Sequence, residues 1–306
     1  MIMKKLWMIG VFSLLCVVMT GCDSSDYKQA IEYQNQGEYQ KAVELFDTIP
    51  NYEDSKQKSN ECKEILAATD KYNTVKESAE EKNKELDKAI LDAETMIKEK
   101  KTPLKKELIE NLETSISDAK AAKVDIPAIA KNAKDIRASV EILNKIDYSK
   151  ALQELSEHKT NLENSIKQYA LVKNPKEGYI IKCLKKVPVI KGISAVTEKN
   201  DPNGNLHKPG GYTSQVYFSC KWVDQSQFTE KTIIDKGTDC GGSIEVYKTA
   251  EDAKKRNDYL AEYDGGIFAS GSHKVVGTVV VRTSDKLTAS KQKKLEKAII
   301  KQLTWV

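Results

Sequence analysis

The feature that most constrains the fold is a long stretch without glycine. Between Ser55 and Lys173 the chain has no glycine and only two prolines, Pro103 and Pro127. Apolar residues recur there every three or four positions on otherwise charged segments, as in the series Leu86, Ile90, Ala93 and Ile97. Such narrow apolar stripes are typical of helices that pair with other helices. The stretch therefore predicts a helical bundle or coiled coil over residues 55–173, which we call the helical stalk.

The two prolines divide this stalk into helices. A proline is tolerated in the first turn of a helix but breaks its interior, so Pro103 and Pro127 mark fresh starts. A further break is expected near Asp147. His158 lies on the last helix, where a lone histidine is more often a structural residue than a ligand. The predicted helices span residues 55–100, 103–122 and 127–172.

Residues 26–50 predict a helical hairpin before the stalk. The series Ala30, Tyr33, Gly37, Tyr39, Ala42 and Phe46 resembles one unit of the tetratricopeptide (TPR) repeat, with the glycine at the turn. That resemblance implies a peptide-binding groove. A single unit cannot bury its apolar face on copies of itself, so a packing device at the start of the stalk is the alternative interpretation.

Part of the stalk resembles a known surface module. Its apolar residues follow the paired Leu-x-x-Ala-Ile and Leu-x-x-x-Ile-x-x-Ala blocks of the FIVAR-type three-helix modules in Gram-positive surface proteins: Leu86, Ala89, Ile90 and Ala93, then Leu112, Ile116 and Ala119, then Ile136 and Leu143. The resemblance implies a spacer or an adhesin-like module, and it suggests carbohydrate binding. A generic helical bundle would use the same core positions.

The N-terminus has the order of a secretory leader. Two lysines supply a positive start, an apolar run extends over residues 6–19, and two small residues precede Cys22. The run is shorter than the roughly 20 apolar residues of a membrane-spanning helix. Residues 17–22 resemble the lipobox of bacterial lipoproteins. That resemblance implies a signal peptide over residues 1–21, lipid attachment at Cys22, and a location on the extracytoplasmic face of the cell membrane.

Charge and cysteine content exclude several classes of protein. Removal of residues 1–21 takes away two lysines and lowers the formal net charge from +4 to +2. Acidic and basic residues are interleaved, so the chain lacks the basic patch of a nucleic-acid-binding protein. The cysteines after Cys22 form no recognisable disulfide framework. At most one disulfide could form among Cys183, Cys220 and Cys240, and it would leave one free thiol. Buried unpaired thiols are the default expectation for these three residues and for Cys62.

The character of the sequence changes at residues 174–175. Glycines and β-branched residues become frequent, and short alternating runs are divided by turns. The predicted order of helix, strand, strand, strand, helix, strand and helix is typical of a two-layer α+β sandwich. We expect the helices to cover one face of the sheet and to leave the other face, or the long loops at one end, free for a partner. The predicted elements are a helix at 177–187, strands at 193–197, 214–223 and 243–247, a helix at 249–263, a central buried strand at 274–282 and a helix from 288.

The C-terminal domain is similar to a domain of uncharacterised Gram-positive lipoproteins, in the segments 198–204, 241–247 and 282–284. This resemblance implies a lipid-anchored location and no activity. The chain as a whole is predicted to be multidomain. Its parts are a signal peptide at 1–21, a tether and TPR-like hairpin at 22–54, the helical stalk at 55–173 and the α+β domain at 174–306.

Aromatic residues and histidines are the candidates for a binding site in this domain. Tyr212, Tyr217 and Trp222 could line a sugar site, together with His207 and His273. The aromatic residues could equally be core residues, which is the more usual role of such side chains in strands.

No catalytic residue, cofactor or metal site is predicted. Asp201, Asn203 and Asn205 imitate the start of an EF-hand loop. However, Leu206 and Tyr212 stand where that loop needs glycine and glutamate, so we expect a turn.

Cys240 is the residue on which a cysteine-dependent enzyme would rest, with His207 or His273 as its base. No family signature surrounds these residues. A thiolate zinc site from Cys183, Cys220 and Cys240 lacks the closely spaced ligand pairs that such sites use.

Together these features favour a non-enzymatic, lipid-anchored cell-surface protein whose stalk presents an α+β recognition domain to a protein or a cell-wall glycan. The alternative is an envelope scaffold that acts by protein–protein interaction through the TPR-like hairpin and the helical region. A cysteine-dependent enzyme is the third hypothesis.

Replacement of Cys22 tests the anchor. We expect Cys22→Ser to abolish fatty-acid labelling, and either to release a soluble chain or to leave the precursor unprocessed, because the lipid is attached through the thiol. Metabolic labelling with a fatty acid and membrane fractionation measure both. Cys16→Ser, which changes a thiol within the leader, should keep the label, and a labelled and processed Cys22→Ser chain would contradict the lipobox interpretation.

Overall fold

The computed structural model describes residues 23–266 and 271–306, so the leader and Cys22 lie outside the described residues. These residues combine α-helices with a five-stranded antiparallel sheet, in agreement with a helical region and an α+β part. The chain divides into two compact units: residues 23–85 with 123–147, and residues 86–122 with 148–306. The predicted domain boundary at residue 174 stays a prediction.

The helices before the sheet follow the predicted order, with differences at their starts. Their bounds are α1 (Asp23–Gln36), α2 (Tyr39–Phe46), α3 (Ser55–Lys98), α4 (Glu107–Ala122), α5 (Ala133–Asn144) and α6 (Ser149–Val172). The interruption between α5 and α6 confirms the break expected near Asp147.

In the first unit, α1 and α2 form the predicted hairpin. Gly37 makes the turn with a φ of 80°, a conformation that favours glycine. Ala30, Ala42 and Phe46 are buried together with Cys62 of α3. The hairpin therefore buries its apolar face on the start of α3, as the packing-device interpretation requires.

The helix expected from Pro127 begins at Ala133 instead, because residues 123–132 are held extended by side chains of α3. The hydroxyl of Tyr72 donates to the carbonyl of Pro127 at 2.5 Å, and the amide of Asn83 donates to the carbonyl of Val124 at 3.2 Å. The side chain of Asn132 then caps α5 by accepting from the N–H of Asp135 at 2.9 Å.

In the second unit, α4 also begins later than predicted. The N–H groups of Leu104 and Lys105 donate to the carbonyl and the hydroxyl of Ser165 on α6, at 3.0 and 2.9 Å. These bonds hold the residues after Pro103 outside the helix. His158 of α6 lies 2.5 Å from the hydroxyl of Ser115 of α4, which is the structural role expected for it.

The α+β part contains the predicted elements and one additional strand. Their bounds are α7 (Glu177–Lys185), β1 (Ile190–Ala195), β2 (Tyr212–Cys220), β3 (Gly241–Tyr247), α8 (Ala250–Ala261), β4 (His273–Val276), β5 (Val279–Thr283) and α9 (Ala289–Leu303). The strands lie in the order β1-β2-β3-β5-β4, and every neighbouring pair is antiparallel.

The prediction of a single central strand over residues 274–282 is wrong, because these residues form a hairpin. Val276 pairs with Val279 across a two-residue turn, and Gly277 takes a φ of 65°. A glycine in the first position suits the tight turns that join antiparallel strands. The second half of the run, β5, is fully buried between β3 and β4, whereas β4 forms an edge of the sheet.

The expected free face of the sheet is also covered. One face carries the larger core, which includes Phe218, Ile244 and Val281 under side chains of α7 and α9. On the opposite face, Tyr217 and Val280 pack with α8, the loop over residues 198–211 and residues 233–234. We call these the α7/α9 face and the α8 face. With both faces covered, the edges of the sheet become the places to look for a partner site.

The turn at Gly277 is a test of the fold. A Cβ there would lie 2.5 Å from Cγ2 and 2.7 Å from the carbonyl oxygen of Val172, whereas a Cβ on Gly204, at a similar φ of 62°, would meet nothing within 4 Å. We expect Gly204→Ala to lower the free energy of unfolding by about 1 kcal/mol through backbone strain alone. Gly277→Ala should cost about 2–5 kcal/mol, because steric overlap adds to the strain. Urea unfolding measures both, and equal losses would contradict the contact with Val172.

Candidate functional site

The second unit contains a groove at the edge strand β4, with a cavity of about 500 Å³. We call it the β4 groove. Its floor is residues 274–277, one wall is the connection over residues 102–106, and the remaining walls are Tyr169, Ala250 and Ile300. Apolar side chains and backbone make up most of this lining. Ligand sites in proteins commonly have cavities of about 300–1,000 Å³ with this mixture of apolar walls and few polar groups.

The outer edge of β4 has unpaired main-chain groups, of which those of Val275 lie in the groove and those of His273 lie beyond its lining residues. Hydrogen-bonded positions alternate along an antiparallel pair, and the register places Val276 opposite Val279 at the turn. Lys274 and Val276 therefore direct their N–H and C=O groups to β5. His273 and Val275 direct theirs away from the sheet, and among the described residues these groups have no hydrogen-bond partner.

Positive charge surrounds the groove. Lys105, Lys106 and Lys274 line it, each is exposed, and none forms an ion pair with another described residue. The lining contains no aspartate, glutamate, asparagine or glutamine. The groove thus presents uncompensated positive charge beside an apolar surface.

The three predicted aromatic residues do not share a surface. Tyr212 and Tyr217 are 2% and 4% exposed and belong to the core on the α8 face, where the hydroxyl of Tyr212 donates to Asp201. Trp222 packs partly against the core on the α7/α9 face, with the ammonium group of Lys294 5.7 Å from its ring centre. Burial leaves the two tyrosine rings little surface on which a sugar could stack.

The two predicted histidines also lie apart. His207 is exposed in the loop before β2, with a φ of 59°, and its N–H donates to the carbonyl of Tyr212 at 2.9 Å. His273 contacts the side-chain oxygen of Asn257 through Nδ1 at 2.9 Å and the carboxylate of Asp264 through Nε2 at 3.2 Å. The side chain of His273 thus faces α8, while its backbone lies on the edge of β4.

Cys240 has no geometry that supports nucleophilic chemistry. Its side chain is fully buried, and the thiol donates to backbone carbonyls, including that of Gly237 at 3.4 Å and that of Phe218 at 3.6 Å. Burial raises the pKa of the Cys240 thiol to about 11. A thiol with this pKa is protonated at neutral pH, whereas the thiolate is the nucleophilic form.

The described residues contain no cluster of histidine, cysteine, aspartate and glutamate that could hold a metal ion. The carboxylate of Asp201 accepts from the N–H of Asn203 at 3.0 Å and from that of Leu206 at 2.8 Å, which confirms the turn interpretation. The cysteines of the described part are free and buried, as expected.

A buried charged cluster on the α8 face was not predicted from the sequence. Glu245 of β3 is fully buried and accepts two hydrogen bonds from Arg256 of α8, at 2.9 and 3.2 Å. It also accepts one from Arg282 of β5 at 2.9 Å and one from the hydroxyl of Tyr247 at 2.8 Å. Glu245 and Arg282 are charged residues on two apolar strands, β3 and β5. That they share a face follows only once the pairing of these strands is known.

Electrostatics within this cluster favour the charged carboxylate. Burial by itself opposes the charge, but Arg282 and Arg256 together outweigh it and hold the pKa of Glu245 below its usual range. Burial first, and then the neighbouring carboxylate, raise the pKa of Tyr247. The cluster is therefore a buried ion-pair network that joins α8 to the sheet.

A smaller polar cavity of about 360 Å³ lies beside the cluster. Its charged groups are already engaged: Arg256 binds Glu245, the carboxylate of Asp252 accepts from the hydroxyl of Thr249, and Lys255 pairs with Glu251. The β4 groove, with unpaired main-chain groups and unpaired lysines, is the better candidate site.

No family model, curated protein or solved structure matches this chain. Within residues 23–266 and 271–306, no helix has the length and apolar character needed to cross a membrane.

Removal of the charge on Glu245 tests the cluster. We expect Glu245→Gln to lower the free energy of unfolding by about 3–5 kcal/mol at neutral pH, because the buried guanidinium group of Arg282 and the partly buried one of Arg256 lose their counter-charge. Glu251→Gln, which removes one partner of an exposed ion pair, should cost less than about 1 kcal/mol.

The same pair of variants gives a pH dependence. The folded pKa of Glu245 lies below its ordinary value of 4.5, so its carboxylate stabilises the fold above that value, and this contribution is lost as the pH falls through the lowered pKa. The difference between wild type and Glu245→Gln should therefore shrink on acidification below about pH 4.5. Urea unfolding across this range measures it, and a difference that stayed constant would contradict the role of the charge.

Proposed function

We propose that this chain is a lipid-anchored protein of the extracytoplasmic membrane face that binds a ligand in the β4 groove and carries out no chemistry. The leader and the lipobox-like residues 17–22 support the anchor. The succession of a helical region and an α+β part supports a layout in which a stalk presents a recognition domain.

The β4 groove is the observation that carries the binding proposal. It combines a cavity of suitable size, an unpaired strand edge and three lysines without ion-pair partners among the described residues. The groups considered for catalysis are engaged elsewhere: Cys240 is buried and protonated, and the ring of His273 contacts α8. These properties favour recognition over a cysteine-dependent enzyme.

A scaffold function through the helical region is the second candidate. Ile129 and Ile142 of the first unit are 47% and 49% exposed, and they give that unit apolar surface with which another protein could pack. Such residues occur singly on many protein surfaces, so they carry less weight than a formed groove.

Filling the groove distinguishes the two functions. Ala250, the first residue of α8, is exposed and lines the groove, so Ala250→Trp should block it without removing a core contact. Ala289, the exposed first residue of α9, provides the matched control Ala289→Trp. Labelled chains of residues 23–306 would be applied to arrays of cell-wall glycans and of extended peptides.

We expect wild type and Ala289→Trp to bind the same array features, and Ala250→Trp to lose about tenfold or more in affinity because bulk in the groove excludes the ligand. Circular dichroism checks that both variants fold. Features bound equally by all three chains would contradict the groove and favour the scaffold function. Failure of wild type to bind any feature would contradict recognition of glycans and peptides altogether.

A further inference from the structure

We infer that the β4 groove takes an extended acidic segment of another protein, which pairs with β4 as an added strand. This inference rests on the proposed binding function and names the chemistry of the ligand.

The main chain of β4 has polar groups with which a ligand can pair. The N–H and C=O groups of His273 and Val275 point away from β5 and have no partner among the described residues. An extended peptide satisfies alternate groups of this kind along an open strand edge, as in complexes formed by strand addition. The edge has the usual guards against uncontrolled pairing, since β4 is only four residues long and carries an exposed lysine, Lys274.

The shape of the groove leaves space on both sides of β4. Ile300 belongs to the α9 side of the sheet and Ala250 to the α8 side, so the cavity extends past both faces of β4. Successive side chains of an added strand point to opposite faces. Apolar side chains of the ligand would therefore find Leu104, Tyr169 and Ile300 on one side, while those on the other side lie near Ala250.

The positive charge of the groove favours an acidic ligand. Lys105, Lys106 and Lys274 have no ion-pair partner among the described residues, and no carboxylate lines the groove. A segment with acidic side chains among its apolar ones would complement these lysines. A neutral glycan fits less well, because the lining offers no carboxylate or amide side chain to bind sugar hydroxyls.

The probe is a capped peptide of three Glu-Val repeats, studied with the chain of residues 23–306. Two control peptides separate the arguments. One carries N-methyl groups on alternate amides, which block main-chain donation but keep every side chain, and the other replaces glutamate with lysine. Isothermal titration should show binding of the first peptide and at least about tenfold weaker binding of both controls.

Amide hydrogen exchange followed by NMR locates the peptide. In the free chain the amides of Lys274 and Val276 should exchange slowly because they bond β5, whereas those of His273 and Val275 should exchange quickly. Binding of the Glu-Val peptide should slow His273 and Val275 specifically. Unchanged exchange at both residues despite binding would overturn strand addition.

Charge reversal completes the test. The triple variant Lys105→Glu, Lys106→Glu and Lys274→Glu should bind the peptide at least about tenfold more weakly in low salt. The matched control reverses Lys185, Lys191 and Lys221, which are exposed near the opposite edge strand β1. It should change binding less than about twofold, and equal loss in both triples would show attraction to net charge only and overturn the groove assignment.

The outcomes also separate this inference from the proposed function. Absence of peptide binding, with glycan binding that Ala250→Trp removes, would overturn the acidic peptide and leave recognition in the groove intact. Slow exchange of Val275 in the free chain, together with a dimer in sedimentation, would show that a second copy covers the edge and would overturn the assignment to another protein.

Discussion

The second unit depends on the hydrogen bonds between Thr278 and Val172, the last residue of α6. The N–H of Thr278 donates to the carbonyl of Val172 at 3.0 Å, and its hydroxyl lies 3.1 Å from the same oxygen. Its carbonyl accepts from the N–H of Tyr247, at the end of β3, at 2.8 Å. One buried turn thus joins a stalk helix, β3 and the β4–β5 hairpin, and it sets where β4 lies as the floor of the groove.

The end of the predicted stalk is packed into the core that underlies the sheet. Val172 of α6 is fully buried in the core of the α7/α9 face, and Leu104 of the α3–α4 connection packs against the same core. A fragment that begins at residue 174 would lose the carbonyl that holds Thr278 and these core contacts. The last helices of the predicted stalk are therefore part of the framework of the proposed binding site, which is why the binding experiments use residues 23–306.

Much of the secondary structure could be predicted because it depends on local signals. The absence of glycine and the apolar spacing identified the helices. The hairpin at residues 273–283 was missed because its turn has only two residues within a valine-rich run. The late start of α5 was missed because the bonds that hold residues 123–132 extended come from α3, which is distant in sequence.

The candidate site was harder to predict than the fold because its properties arise from strand order. Nothing local marks β4 as an edge, and the sequence interpretation placed those residues at the centre of the sheet. Tyr212 and Tyr217 were candidates for a sugar site because they are aromatic, but pairing between β2 and β3 buries them on the α8 face. The same pairing brings Glu245 beside Arg282 and removes both charges from the surface.

The contrast between these two charged sets argues for where recognition occurs. On the α8 face Arg256 and Arg282 both pair with the buried carboxylate of Glu245, so these charges are already engaged within the fold. At the β4 groove the lysines and the strand edge lack partners within the described chain, and their interactions with water are the ones that a ligand can replace. These unpaired groups, together with the apolar walls of the groove, are where a ligand gains interactions, and the turn held by Val172 places them at this edge.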